Sequence, residues 1–179
     1  KTGTLTYGQP EVVAVLSKNE KFSEEQLYFL AAGAEKLSEH PLGKAIVRCY
    51  GKALPDVHNF IMAPGRGVTA TVNGISILAG NVKLLEDNAV SIPQAVVEEA
   101  AEYLMQGCTV TYIAADGGFA GYIVLSDKLR EQSADMMKKL VTLGVQPVLL
   151  TGDNENAANA IAQRMEIAQV KANCLPEDK

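Results

Sequence analysis

Val148-Leu-Leu-Thr-Gly-Asp-Asn154 is the stretch on which the reading of this chain turns. Its apolar start reads as the end of a buried strand running from Val145 to Leu150, as expected when both faces of a parallel sheet are covered. The strand runs into a tight turn that carries a hydroxyl (Thr151), a glycine (Gly152), a carboxylate (Asp153) and an amide (Asn154). An alanine-rich helix follows, Asn154 to Met165, with Ala157, Ala158, Ile161, Ala162 and Met165 inward at helical spacing. A strand tip, a small hydroxyl and a helix N-terminus together favour an anion, because free backbone N–H groups and the helix dipole point the same way. Alone, Thr-Gly-Asp-Asn is also an ordinary strand-to-helix turn.

The pattern on either side extends this layer. Arg130 to Leu143 reads as a helix with Ala134, Met137, Leu140 and Val141 on one face and Gly144 as its stop. Val170 to Ala172 reads as a last short strand. The first residues, Lys1-Thr-Gly-Thr-Leu-Thr6, are small and polar, as in a loop leaving a strand. Residues 1–8 and 126–179 therefore read as two pieces of one βαβα layer, and residues 9–125 as a domain inserted between them. The connections near Gly8-Gln9-Pro10 and Ser126-Asp127 read as a hinge. Asp127 itself reads equally as a helix N-cap or as a nucleotide contact.

The inserted domain reads as α+β on an antiparallel sheet. Glu11 to Leu16 is a β-rich run. Ser23 with Gln26 predicts a capping box, and Leu27, Leu30, Ala31, Ala34 and Leu37 continue at helical spacing. The helix is expected to end at Ser38-Glu39-His40-Pro41, with His40 in an extended joint and Pro41 opening a second helix. That second helix is expected to turn Ala45, Ile46 and Cys49 inward. His40 then stands at a corner, with Glu35 about one and a half turns back. Asn59 to Ala63, Val68 to Val72 and Ile75 to Leu78 read as strands, the last two joined by the hairpin signal Asn73-Gly74. Helices are expected near Val82 to Glu86 and Ile92 to Gln106. A second hairpin, Thr109 to Ala114 and Phe119 to Leu125, closes the domain.

Composition narrows the classes. The chain has 179 residues and a formal charge of -5, which argues against nucleic acid or an anionic membrane as partner. Any anionic ligand must rest on local N–H groups and a few side chains. No apolar run approaches the length of a membrane span, and no signal peptide is visible. Cys49, Cys108 and Cys174 are single and far apart, so they read as reduced thiols rather than as metal ligands or a disulfide framework.

Lys1-Thr-Gly-Thr4 and Thr151-Gly-Asp153 together resemble the P-type cation-transporting ATPases, in which an aspartate directly before Lys-Thr-Gly-Thr is phosphorylated by ATP. The middle of the chain carries a second fingerprint. Ser38-Glu39-His40-Pro41-Leu42, Gly65-x-Gly67 and Gly80-Asn81 stand in the order seen in the heavy-metal-transporting branch, and their wording looks most like the copper exporters. The resemblance implies a haloacid-dehalogenase-like Rossmannoid phosphorylation domain, in part, around an inserted nucleotide-binding domain. It implies that Glu35 and His40 hold adenine, that Gly65 and Gly67 let the backbone approach the nucleotide, and that Gly80-Asn81 adds a polar contact. It implies that Thr151 bonds the transferred phosphoryl oxygens, that Lys179 neutralises their charge, and that Lys1, Thr2 and Thr4 flank the phosphoryl group. Gly152 and Asp153 are implied to lie toward ATP and Mg²⁺.

The implied partners are ATP or ADP and the transmembrane and actuator parts of the same transporter, with the chain at the cytoplasmic face of a membrane. The chain begins at Lys1, so the aspartate is not among these residues, and the expectation is nucleotide binding without turnover. Zn²⁺, Cd²⁺ or Pb²⁺ stand as alternative cargoes. A soluble haloacid-dehalogenase-like phosphatase with a cap domain is a further alternative, but it normally carries Asp-x-Asp where this chain has Lys1-Thr2-Gly3. A non-catalytic nucleotide-binding module is the third.

Overall fold

The structure is a computed structural model, and it describes residues 4–127, 130–151, 155–172 and 174. Two compact units emerge. One comprises Pro10–Ala100 and Val110–Leu125; the other comprises the described residues of Lys1–Gln9, Ala101–Thr109 and Ser126–Lys179.

The first unit is built on a six-stranded sheet. Its strands are β1 (Glu11–Ser17), β2 (Val57–Ala63), β3 (Gly67–Val72), β4 (Ile75–Gly80), β5 (Thr109–Ala115) and β6 (Gly118–Ser126), in the order β1-β6-β5-β4-β3-β2. Two tight turns set the register. Asn73 and Gly74 both take positive φ, 50° and 80°, as a two-residue hairpin loop demands, and pair Val72 with Ile75. Asp116 and Gly117 repeat the device between β5 and β6, at 48° and 76°. The Asp116 carboxylate also accepts the Ser76 N–H at 2.9 Å, tying that turn to the next strand.

Helices α1 (Glu24–Ala34) and α2 (Pro41–Tyr50) pack on this sheet. The capping box at Ser23 forms in full: Gln26 N–H donates to Ser23 Oγ at 3.2 Å, and Ser23 N–H donates to Gln26 Oε1 at 2.9 Å. Leu27, Leu30, Ala31, Ala34, Ala45 and Ile46 meet Val68, Ala70, Val72, Ile77 and Ile123 in the core. Two expectations fail here. The helical stripe stops at Ala34, because Lys36 and Ser38 N–H groups bond three residues back to Gly33 and Glu35, and Leu37 is left exposed. Cys49 is exposed, not inward, and all three cysteines are free. The short helix α3 (Val82–Asp87) follows β4, and α4 (Gln94–Met105) precedes β5.

The second unit holds α5 (Ser133–Thr142), β7 (Val148–Leu150), α6 (Glu155–Arg164) and β8 (Gln169–Lys171). β7 and β8 pair in parallel, Leu149 opposite Val170. Leu5, Leu149, Ile161, Ala162, Met165 and Ile167 form its core. The strand expected from Val145 starts only at Val148, since Pro147 lacks the N–H that a ladder needs. Among its residues Leu149 is buried, while Val148 and Leu150 are exposed, so the expectation of burial on both faces is corrected. α5 starts at Ser133 instead of Arg130; Ala134 and Met137 face the core, and Val141 is exposed. Gly144 does end the helix region, at φ +79°, with the Val145 N–H returning to Leu140 O at 2.9 Å.

Candidate functional site

Most of the residues singled out above that are described fall in three clusters. The first is the corner between α1 and α2. Pro41 opens α2, and the residue before a proline is held extended, so His40 sits at φ −70°, ψ 138° as the N-cap. Its Nδ1 accepts the Leu42 N–H at 3.2 Å. A ring that accepts at Nδ1 carries its proton on Nε2, so the neutral tautomer keeps one donor unused. His40 is exposed as a residue, yet the protein beside the ring holds its pKa below the usual value by desolvation. The imidazole is therefore neutral at pH 7.

Glu35 caps the other helix end and is 6% exposed. Its Oε2 is buried and has no hydrogen-bond partner. Burial pushes the carboxyl up to about 7, against a smaller downward pull from the Ser38 hydroxyl. A charge cannot be left unpaired in such a place at low cost, so the group takes a proton near neutrality. Gly43 explains how the carboxyl fits. A Cβ at Gly43 would lie 2.2 Å from Glu35 Oε2 and 2.6 Å from Ser38 Oγ. Ser38 Oγ in turn accepts the His40 N–H at 3.3 Å.

The second cluster is the turn from Pro64 to Gly67 with the start of α3. Gly67 pairs with Gly80 across the ladder. A Cβ on Gly67, at φ +146°, would stand 2.2 Å from Ala79 O, and one on Gly80 would stand 2.2 Å from Arg66 O. These two glycines let β3 and β4 close on each other. Gly65, at φ +70°, would present its Cβ to nothing within 4 Å. Of the expected glycine pair, Gly65 alone borders open space; the missing Cβ of Gly67 is required by the neighbouring strand. Asn81 clamps the turn. Its N–H donates to Arg66 O at 2.8 Å, its Nδ2 to Gly65 O at 3.0 Å, and its Oδ1 accepts the Leu84 N–H at 3.1 Å as the N-cap of α3. Arg66 pairs with Asp87, which also holds Lys83 at 3.0 Å.

The third cluster lies in the other unit. Thr151 is buried at the end of β7, its N–H donating to Lys171 O at 3.0 Å and its carbonyl accepting the Cys174 N–H at 2.9 Å. The N-cap of α5 is Gln132, not Asp127. Asp127 Oδ2 accepts the Thr6 hydroxyl at 2.5 Å and its Oδ1 the Gln9 N–H at 3.2 Å. Arg130 Nε donates to Thr6 O at 3.1 Å, and Ser133 Oγ to Leu5 O at 3.0 Å. The segment Leu5 to Gln9 is thus pinned to residues more than a hundred positions later. Asp127 also lines an open cleft of about 510 Å³ with Gln106, Gly107 and Arg164. Lys1, Thr2, Gly152, Asp153 and Lys179 lie outside the described residues; Thr4 is exposed.

Gly43 and the role of Thr6 escaped the sequence reading, and Ser38 entered it only as part of a motif. Ser38 and Gly43 shape the Glu35 pocket, and Thr6 holds Asp127. Gly43 had a signal: a glycine inside a helix costs about 1 kcal/mol against alanine, so it needs a packing reason. Thr6 had none, since its partner is remote in sequence.

Comparison with known proteins agrees along the whole chain. A model of the haloacid dehalogenase-like hydrolases matches residues 1–179. A copper-exporting P-type ATPase of Staphylococcus aureus (strain bovine RF122 / ET3-1) is 39% identical over 100% of this chain and 22% of its own length. The chain thus spans about a fifth of that relative. A zinc-transporting PIB-type ATPase, solved in its E2.Pi state, superposes with a TM-score of 0.71 at 36% identity, covering 99% of this chain and 29% of that one. The catalytic domain of the CPx-ATPase CopB-B, solved in a study of its conformational changes upon nucleotide binding, gives a TM-score of 0.70 at 25% identity, covering 99% and 60%. The chain belongs to the haloacid dehalogenase-like hydrolase family, and within it matches the catalytic region of heavy-metal-transporting P-type ATPases.

Proposed function

We propose that this chain binds ATP at the Glu35–His40 corner and the Gly65–Asn81 turn, as the nucleotide-binding and phosphoryl-handling region of a heavy-metal-transporting P-type ATPase. One observation carries the reading. Among the described residues the buried Glu35 Oε2 has no hydrogen-bond partner, and the exposed His40 stands at the same corner. Buried polar atoms are normally satisfied, so the unused carboxyl oxygen calls for a ligand. A neutral imidazole can stack on a purine or donate from Nε2. Gly65 leaves space for a ligand against the backbone. Asn81, with its hydrogen bonds spent within the protein, positions the turn.

ATP supplies a transferable phosphoryl group when bound. In the same proposal Thr151 bonds phosphoryl oxygens, Lys179 neutralises their charge, Lys1 and Thr2 flank the acceptor, and Gly152 and Asp153 face the nucleotide. Mg²⁺ belongs with Asp153. Among the described residues no group of three His, Cys, Asp or Glu could hold a metal. Residues 9–125 form the nucleotide-binding domain, and residues 1–8 and 126–179 the phosphorylation domain.

Copper is the proposed cargo, following the curated relative; the zinc-transporting neighbour keeps zinc as the second reading. Cargo selection is assigned to membrane parts of the same protein, with this chain on the cytoplasmic face. Among the described residues no helix is long and apolar enough to cross a membrane.

Calorimetric titration with ATP and ADP tests the reading. Binding with micromolar to millimolar affinity is expected. His40→Gln should weaken it by about 1–3 kcal/mol through the lost polar contact. Equal affinity in the variant removes His40 from the site, and absence of binding refutes the nucleotide site.

A further inference from the structure

Glu35 can meet a base in either of two forms, and the two recognise different bases. A carboxylate only accepts hydrogen bonds. A carboxylic acid accepts with one oxygen and donates with the other. Adenine presents an N6 donor beside an N1 acceptor on its Watson–Crick edge, which matches the acid. Guanine presents two donors, N1–H and N2–H, which match the carboxylate. The form of Glu35 therefore decides the base.

The surroundings favour the acid. Oε2 is buried, faces the Cα of Gly43, and has the Ser38 hydroxyl as its polar neighbour. Among the described residues no ion pair to Glu35 is formed by the ionisable groups on the adjoining elements. Lys36 donates to Pro55 O at 3.0 Å, Lys44 pairs with Glu39, and Arg48 bonds Pro10 O at 2.5 Å. Glu25 pairs with Lys52 at 2.6 Å, and Glu24 starts the far end of α1. His40 is neutral, Tyr28 is pushed up to about 12, and Cys49 and Tyr50 lie on α2. Glu11 on β1 and His58 on β2 complete the set; β3 and β4 carry none. Burial is the main cause of the upward shift at Glu35, and no charged group is among its causes.

We propose that Glu35 binds the base as a neutral carboxylic acid, donating to N1 and accepting from N6 of adenine, so that adenine preference and nucleotide affinity are both linked to its proton. This rests on the nucleotide-site reading above. A carboxyl kept neutral by an apolar site is an established donor in protein chemistry. A good bidentate match to a base edge discriminates by about ten- to a hundredfold. Once pH exceeds the pKa, each further unit lowers the acid fraction, and with it the affinity, by about tenfold.

The test uses the full chain, with ATP and GTP as probes, from pH 5.5 to 8.5. The ATP phosphates and His40 also titrate, so the Glu35→Gln variant is measured alongside; its amide donates and accepts as the acid does but carries no titratable proton. The expected result is a ratio of wild-type to variant ATP dissociation constants that is flat below pH 6.5 and rises about tenfold per unit above pH 7. The wild-type preference for ATP over GTP should shrink over the same range. A ratio independent of pH, or an ATP-to-GTP preference that does not move, overturns the inference while leaving nucleotide binding intact. Failure of both nucleotides to bind at any pH overturns the site reading as well.

Discussion

Gly67→Ala is the most demanding substitution the structure offers. The added Cβ would stand 2.2 Å from Ala79 O and 2.5 Å from Gly80 Cα, both backbone atoms that cannot rotate away. Relief requires β3 and β4 to part at Gly67↔Gly80, where the Asn81 clamp begins. Forcing an extra carbon into a filled space costs about 1–3 kcal/mol. The backbone at φ +146° adds strain of about 1–3 kcal/mol for any L side chain. Together these give a loss of about 2–6 kcal/mol, a large share of the 5–15 kcal/mol that typically holds a domain. Gly65→Ala is the internal control. Its Cβ meets nothing within 4 Å, so only the left-handed φ of +70° is charged, about 1 kcal/mol. Urea unfolding read by hydrogen exchange at β3 and β4 amides suits the comparison, because two compact units need not melt together. A Gly67→Ala protein within 1 kcal/mol of Gly65→Ala would refute the close strand approach.

Three other outcomes follow from the same geometry. Asn81→Ala removes the N-cap of α3 and the bond to Gly65 O, which should cost about 1–3 kcal/mol in denaturant unfolding and weaken ATP binding. Glu35 takes up a proton on folding, since its carboxyl rises from 4.5 to about 7. Its stabilising effect is full below pH 4.5 and is lost as pH rises to about 7, so Glu35→Gln should gain on the order of 3 kcal/mol relative to wild type between pH 4 and pH 8 in urea midpoints. A fragment of residues 9–125 should fold alone and show a mixed α/β circular dichroism spectrum; an unfolded spectrum would refute that boundary.

Local rules carried much of the fold. The capping box at Ser23, the hairpin at Asn73-Gly74, the one between Ala114 and Phe119, the stop at Gly144 and the extended joint at His40 all depend on nearby residues, and all were legible. Errors arose where a remote group decided. Leu37 continues a helical stripe in sequence, yet the turn at Glu35 to Ser38 takes it out of the core. Val148 and Leu150 are as apolar as Leu149, but apolar spacing cannot tell which faces of a strand are covered. Nothing near Thr6 in sequence points to its partner, and only the folded chain brings it to Asp127. The motif residues His40, Gly65, Gly67 and Asn81 were visible as a set. Their division of labour was not: the tie between Gly67 and Gly80 is a cross-strand contact, and the fit of Glu35 depends on the absence of a side chain at Gly43.

In the proposed site a purine is held at the α1–α2 corner and the glycine turn of one unit. A ¹⁵N-resolved NMR titration of the intact chain with ATP tests it most directly. Saturable shifts are predicted at the amides of Glu35, His40, Leu42 and Gly43 and of Gly65, Gly67 and Asn81. Shifts confined to the cleft around Asp127 and Arg164, with the corner and the turn unmoved, would contradict it.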